Sequence, residues 1–230
     1  MSAEQDTAER KRWEEEREKI ASMIAHEVRN RLSAIVTGVD ILEMGIVNNP
    51  SVYRGIREAV QKIQEVVTRF LIYARPGIPE LINGDINLFL MEVTTNLESE
   101  KRFSRVKFEK DLTGESIKIP FDRDMMRQAM IDIVLNSLDA MPDGGILKVR
   151  SAKKGAFIEV RVIDNGIGIP RDKLGQIFQP FYTTKKENIG LGLSIAENTV
   201  KVHRGKIEVK SEKQKGTRVC ILLPLDKKKE

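Results

Sequence analysis

The feature that most limits the fold of this chain is an apolar repeat with helical period near its N-terminus. Between residues 20 and 46, apolar residues recur at spacings of three and four, and the same spacing resumes over residues 52–74. Pro50 separates the two runs and disfavours helical geometry at the residue before it. The sequence therefore predicts helices over residues 8–47 and 52–74, joined as an α-helical hairpin.

A hairpin of two amphipathic helices encloses little core, because each helix has only one apolar face to bury. Two copies that pair into a dimeric four-helix bundle would cover these faces. We therefore predict a homodimer through residues 15–74. Residues 1–75 form the predicted dimerisation domain.

The pattern changes after the run Arg75-Pro76-Gly77-Ile78-Pro79, which ends the second helix and predicts a linker over residues 76–84. Beyond it, stretches with strand and helix patterns mix, and the strands come mostly in adjacent pairs. This mixture is typical of an α+β sandwich with helices on one face of a mixed sheet, which we assign to residues 85–230. The predicted strands are 106–112, 116–119, 146–151, 157–163, 206–210 and 217–223, and the predicted helices are 86–97, 122–140 and 191–203. Asp122 is the expected N-terminal cap of the helix over residues 122–140.

Composition narrows the classes of function. Charged residues make up 32% of the chain and the net charge is +5, with the two signs mixed along the helices, so no nucleic-acid partner is expected. The single cysteine, Cys220, allows no disulfide framework. No run approaches the roughly 18 apolar residues of a membrane span, and the N-terminus is charged. We expect a cytoplasmic protein without a membrane segment, connected to an upstream sensor module if the native chain is longer.

Two glycine-containing segments can approach a nucleotide closely. Asp164 directly follows a predicted strand, and Gly166 and Gly168 come after it, so a fixed carboxylate can accept a hydrogen bond from an amine such as that of adenine. The run Gly190-Leu191-Gly192-Leu193 opens a helix, where backbone N–H groups bind anions. Each segment alone is equally consistent with an ordinary turn or helix start. Neither matches a P-loop or a dinucleotide fingerprint.

A third set of polar residues lies on the predicted helix over residues 122–140. Asp132 and Asn136 are one turn apart, and Asp139 joins the same face. Oxygen ligands of this kind suit Mg²⁺, which keeps waters and bridges phosphates. The alternative is the solvent face of an amphipathic helix.

Taken together, residues 20–224 resemble a two-component sensor histidine kinase, with an ATP-binding domain of the histidine kinase and chaperone ATPase type. The motifs occur in the order of that family and extend over most of the chain. The blocks are the H-box-like residues 25–30, the N-box-like Asn136, the G1-like residues 164–168, the F-box-like residues 178–185, the G2-like residues 190–193 and the final Gly216-Thr217.

The resemblance implies a site for ATP and Mg²⁺. Asp164 would bind the adenine amine with help from Thr217 through water, Asn136 would hold Mg²⁺, and Lys185 would reach the γ-phosphate. Gly190 and Gly192 would let residues 170–189 fold over the triphosphate as a lid. The remaining implied binding residues are Asp132, Asp139, Gly166, Gly168, Leu191 and Leu193.

The resemblance also implies a reaction at the hairpin. His26 would accept the phosphoryl group, Glu27 would take its proton, and a response-regulator receiver domain would receive the group on an aspartate. Asn30 would position water for a phosphatase activity toward that regulator. Arg31 departs from the proline usual there, which leaves the docking of the ATP-binding domain on His26 open. Asp139 departs from the basic residue that some relatives carry.

Two alternatives remain at this stage. A chaperone, topoisomerase or mismatch-repair ATPase shares the Asn and Asp-Gly-Gly pocket but lacks the His26 hairpin. A non-catalytic dimeric scaffold would bind nucleotide only as a ligand. The other histidine, His203, stands at a predicted helix C-terminus, where its charge would suit the helix dipole, and we assign it no catalytic role.

Overall fold

The structure is a computed structural model that describes residues 3–44, 50–74, 78–185 and 188–225, with side chains from Ile20 onward. The chain divides into two compact units, residues 1–75 and 76–230.

The first unit is a pair of packed helices, α1 (Ala3–Glu43) and α2 (Pro50–Ala74). The second helix starts two residues before its predicted start, because a proline fits the first turn, where no intrahelical N–H bond is needed. The predicted end of the first helix lies outside the described residues. The two helices approach closely at Gly38, where an added Cβ would lie 2.8 Å from Cγ1 of Ile56.

The apolar stripe of this hairpin is only partly buried within one chain. Ile20 and Val66 are 3% and 0% exposed, so the two helices do share a core. Leu32, Val36 and Leu71 nevertheless keep 49%, 58% and 50% of their surface exposed. A single chain therefore leaves a long apolar surface uncovered, as the sequence argument for a second copy requires.

The second unit is an α+β domain, which confirms the predicted fold class. Its elements are β1 (Ile82–Asp85), α3 (Ile86–Glu98), a 3₁₀ turn (Lys101–Phe103), β2 (Val106–Asp111), β3 (Lys118–Phe121), α4 (Arg123–Asp139), β4 (Gly145–Lys154), β5 (Phe157–Asp164), α5 (Gly192–Val202), β6 (Lys206–Glu212) and β7 (Gly216–Pro224). All predicted helices and strands of this domain are present, with ends shifted by a few residues. The strand β1, which takes in the last residues of the predicted linker, and the 3₁₀ turn were not predicted.

The main sheet has five strands in the order β2-β4-β5-β7-β6. Strand β2 runs parallel to β4, and the other neighbours are antiparallel. Strands β1 and β3 form a separate antiparallel pair. Alternate residues of the central strands are buried with α3, α4 and α5 in one core, so the helices cover one face of the sheet.

Two polar contacts fix the start of α4, the helix that carries the candidate metal ligand. Asp122 caps it as predicted, since its Oδ1 accepts hydrogen bonds from the N–H groups of Asp124 and Met125 at 3.1 and 3.0 Å. The Asp122 N–H donates to Nε2 of the buried His203 at 2.8 Å. Because Nε2 accepts, the proton is on Nδ1, which donates to the Thr199 carbonyl at 2.7 Å. The buried His203 therefore joins the last turn of α5 to the start of α4 through its two ring nitrogens.

Candidate nucleotide-binding site

Asp164 is held in place by the backbone of two neighbouring segments. It ends β5 opposite Thr217 of β7 and is only 4% exposed. Its Oδ1 accepts hydrogen bonds from the N–H groups of Gly166 and Thr217, both at 3.0 Å. The carboxylate therefore has a fixed orientation at the edge of the sheet, as a specific acceptor requires.

Two opposing effects determine the pKa of this carboxyl group. Burial raises the pKa of Asp164, and hydrogen bonds from Gly166, Ser137 and Thr217 lower it in part. The net shift is upward. An additional donor on a ligand would favour the ionised form, so this group is suited to bind an amine that donates a hydrogen bond.

The loop after Asp164 is clamped between α4 and the turn that joins β6 to β7. The Ile167 N–H donates to the Ala140 carbonyl at 3.0 Å, and the Ile167 carbonyl accepts from the Gln214 N–H at 2.7 Å. Gly168 has φ +65°, and a side chain there would collide with the Glu212 backbone. Glycine is therefore required for this path of the chain.

The three residues of α4 that were predicted to bind nucleotide or metal differ in solvent exposure. Asp132 is buried, with 4% exposure, and accepts a hydrogen bond from Gln128 Nε2 at 3.1 Å. Asn136 is half-buried and Asp139 is exposed at the end of the helix. Exposure therefore increases from Asp132 to Asn136 to Asp139 along this face of the helix.

The start of α5 faces this part of α4. Gly192 opens the helix, one residue later than predicted, and an added Cβ there would lie 3.2 Å from Cβ of Asp132. Gly190 has φ +75°, and an added Cβ would lie 2.5 Å from the Phe181 carbonyl carbon, so the F-box-like segment packs directly on it. The side chains of Leu191 and Leu193 pack inside the domain, which leaves only their backbone for a ligand.

Lys185 is paired with α4. Its Nζ lies 2.8 Å from Oδ2 of Asp139, and the Nδ2 of Asn188 lies 3.4 Å from the same oxygen. Lys185 and Asp139 are both predicted site residues, but the sequence does not predict that they contact each other.

Thr217 is placed beside Asp164 by its backbone, and its predicted contact to adenine through water stays a prediction. Its backbone N–H binds Asp164, while its hydroxyl lies 2.9 Å from Oγ of Ser211. Ser211 also receives the Ile169 N–H at 2.8 Å, so it ties the loop to the β6–β7 hairpin. Sequence reasoning missed Ser211 and Ser137, because a lone serine in a strand or helix carries no motif.

The donor set is consistent with Mg²⁺ held mainly by a nucleotide. Among the residues that the structure describes, no group of three His, Cys, Asp or Glu side chains could hold a metal ion. Mg²⁺ usually keeps several waters and needs only one or two protein oxygens beside phosphates. Asn136, with Asp132 one turn behind it, fits that pattern.

The predicted phosphoryl acceptor lies on α1, in the first unit. His26 is exposed, and Nδ2 of Asn30 lies 3.2 Å from its Nδ1, so the amide contacts the imidazole ring directly. Glu27 forms an ion pair with Arg31, four residues later on the helix. Nε and Nη2 of Arg31 lie 2.9 and 2.8 Å from Oε1 of Glu27. Helix α1 continues through Arg31.

Comparisons with known proteins agree with the fold. Residues 121–227 match the family described as "Histidine kinase-, DNA gyrase B-, and HSP90-like ATPase". Sporulation kinase C of Bacillus subtilis (strain 168) is 32% identical over 207 residues, which are 90% of this chain and 48% of that kinase. The solved catalytic domain of the histidine kinase ThkA is 29% identical with a TM-score of 0.58, covering 63% of this chain and 95% of that one.

A second solved structure extends the likeness over the hairpin. ThkA in complex with the response regulator protein TrrA gives a TM-score of 0.77 at 24% identity, covering 100% of this chain and 69% of that chain. At this identity the match shows the fold alone.

The fold and the pocket define an ATPase domain of the histidine kinase type, preceded by a helical hairpin. The family match, the similar kinases and the solved structures support a two-component sensor histidine kinase, as the resemblance predicted. It spans about half the length of the curated relative it matches, at 48%. In the part of the chain that the structure describes, no helix is long and apolar enough to cross a membrane.

Proposed function

We propose that this chain is the kinase part of a sensor protein that uses ATP to phosphorylate His26 and then passes the phosphoryl group to an aspartate of a response regulator. The observation that carries the proposal is the fixed Asp164 carboxylate in an ATPase-type domain of a chain that also carries an exposed histidine on a helical hairpin.

The pocket residues divide the recognition of ATP between them. Asp164 would accept the hydrogen bond of the adenine amine, and the N–H groups at Gly190 and Gly192 would meet the phosphates at the start of α5. Asn136 would hold Mg²⁺, whose charge offsets that of the phosphates. When bound, ATP supplies the phosphoryl group that is transferred.

Phosphoryl transfer would use His26 and Glu27 of α1, and hydrolysis of the regulator's phospho-aspartate would use Asn30. A ring nitrogen of His26 forms the bond to the γ-phosphorus, the bond from phosphorus to the ADP oxygen breaks, and the ring proton passes to Glu27. Arg31 pairs with Oε1 of Glu27, so Oε2 would be the oxygen that takes the proton while this ion pair is in place. Asn30 already contacts His26, and its amide would orient the water that hydrolyses the regulator's phospho-aspartate.

The partners follow from the same surfaces. ThkA was solved with a response regulator, which supports a receiver domain as the phosphoryl acceptor of this chain. The exposed apolar residues of α1 and α2, such as Val36 at 58% exposure, support a homodimer through the hairpin. The location of the protein in the cytoplasm, with an upstream sensor module, belongs to the same proposal.

Incubation with γ-labelled ATP and Mg²⁺ tests the reaction. We expect label that is stable in base and lost in acid, as phosphohistidine is. His26→Ala abolishes the label while binding of a fluorescent ATP analogue remains. The matched control is Ser33→Ala, at another exposed position of α1, which keeps the label. Label that persists in His26→Ala would refute the assignment of His26.

Sedimentation velocity tests the dimer. We expect a dimer at micromolar concentration, and a monomer for Val36→Glu, because a buried unpaired carboxylate opposes association. The control Arg29→Glu, on an exposed polar position of the same helix, retains the dimer. A monomeric wild-type protein would contradict this part of the proposal.

A further inference from the structure

The contact between Lys185 and Asp139 joins two segments that are far apart in sequence. The two residues are separated by 46 positions, and the ammonium lies 2.8 Å from Oδ2 of the carboxylate. Asn188 Nδ2 approaches the same oxygen at 3.4 Å. Lys185 and Asn188, which both lie near the end of the predicted lid over residues 170–189, therefore contact the same carboxylate oxygen.

The local backbone fixes the position from which the Lys185 side chain extends. The Thr183 hydroxyl oxygen accepts a hydrogen bond from the Lys185 N–H at 3.0 Å and donates one to the Lys185 carbonyl at 3.2 Å. Such a Ser/Thr turn holds a short segment without regular structure. The side chain thus starts from a defined point beside α4.

Asp139 places this ion pair next to the proposed phosphate region. It follows Asn136 by three residues on α4, and residues three apart are neighbours on a helix surface. The Lys185 ammonium is therefore bound to a residue that stands one helical turn after the proposed Mg²⁺ ligand on α4. A carboxylate here repels phosphate, whereas an ammonium attracts it, and in this structure the two charges offset each other.

We propose that Asp139 and Lys185 form a phosphate-competed ion pair, in which Asp139 lowers the affinity for ATP by occupying the ammonium that would otherwise bind phosphate. The inference rests on the proposed nucleotide site. Asp139 is a residue that sets affinity, and Lys185 is a binding residue that is released from it when a triphosphate arrives.

The size of the effect follows from the exposure of the pair. The Lys185 and Asp139 side chains are 36% and 40% exposed, so water screens their attraction. Pairs of this kind correspond to about a two- to fivefold change in a dissociation constant. Because adenosine carries no phosphate, its affinity does not depend on the pair.

The test is a double-mutant cycle with Asp139→Asn, Lys185→Gln and both together, measured by displacement of a fluorescent ATP analogue with ATP, ADP and adenosine. We expect Asp139→Asn to tighten ATP binding about two- to fivefold and Lys185→Gln to weaken it. The gain from Asp139→Asn is smaller in the Lys185→Gln background. Adenosine affinity stays unchanged in all three variants.

A matched control separates a local effect from a general charge effect. Asp143→Asn removes the same charge from the exposed turn that follows α4. Weaker ATP binding in Asp139→Asn, an equal gain in both backgrounds, or an equal gain in Asp143→Asn would each overturn the ion-pair proposal. If the wild-type protein bound neither the analogue nor ATP, the proposed nucleotide site itself would fail, which is a distinct result.

Discussion

Replacing Asp164 with asparagine separates its role in nucleotide recognition from its role in the fold. Its Oδ1 accepts two backbone N–H groups at 3.0 Å, from Gly166 and Thr217. In Asp164→Asn the amide oxygen takes this place, because an NH₂ group there would face two donors. The amide NH₂ then replaces the second carboxylate oxygen and meets the adenine amine donor to donor.

The magnitude follows from the bonds that change. Losing one acceptor and burying two opposed donors costs about 2–4 kcal/mol of binding energy, or roughly a 30- to 1,000-fold rise in the dissociation constant for ATP. The loss of folding stability is small in Asp164→Asn, since both backbone donors keep an acceptor and the Ser137 hydroxyl can accept as well as donate a hydrogen bond. In Asp164→Ala both lose it, and unfolding free energy falls by about 2–6 kcal/mol.

The assay pairs displacement of a fluorescent ATP analogue with urea unfolding of the same samples. Asp143→Asn, an exposed site with the same charge change, is the control and binds as the wild type does. Asp164→Asn that is folded and binds ATP within about threefold of wild type would refute the assignment of Asp164 to adenine, since that is far below the expected loss.

Three further predictions concern stability. The pKa of Asp164 is raised in the folded state, so its stabilising contribution is present below the ordinary pKa of an aspartate and is lost as pH rises through the folded-state pKa. In urea titrations we therefore expect the unfolding free energy of the wild type, relative to that of Asp164→Asn, to fall as pH rises across this window. A difference that stays constant with pH would contradict this. Gly38→Leu destabilises the hairpin by about 1–3 kcal/mol, seen as faster amide exchange in α1 and α2, because its Cβ would lie 2.8 Å from Ile56; unchanged exchange would oppose it. His203→Ala lowers unfolding free energy of the second unit by about 2–4 kcal/mol, since Asp122 N–H loses its 2.8 Å partner; a loss below about 0.5 kcal/mol would contradict that role.

Features set by local periodicity and capping could be predicted from the sequence. The spacing of three and four gave both helices of the hairpin, and Asp122 was predicted as the cap of α4 because a short acceptor preceded a helical pattern. The alternating strands around Phe157 and Thr217 were recognised for the same reason. These signals depend on residues that are close in sequence.

Features that depend on long-range pairing were missed. Nothing in β2 indicates that it pairs parallel with β4, since strand direction depends on the path of the intervening chain. The strand β1 is only 4 residues long and contains Asn83 and Gly84, so it forms only because β3 supplies its partner.

The candidate site divides in the same way. Motif spacing predicts Asp164, Asn136 and the glycines as site residues, because the proposed roles depend on neighbouring backbone. It does not predict that Lys185 contacts Asp139, that Arg31 pairs with Glu27, or that His203 is buried. Each of those facts depends on a side-chain contact rather than on a motif.

The most direct test of the central claim is to locate the phosphoryl group after reaction with ATP and Mg²⁺. Peptide mass spectrometry under basic conditions, which preserve phosphohistidine, should place one phosphoryl group on His26. Addition of a phosphorylatable receiver domain should then remove it from His26 and add it to a receiver aspartate. A phosphoryl group on His203 or on a serine, threonine or aspartate of this chain, with His26 unmodified, would contradict the account.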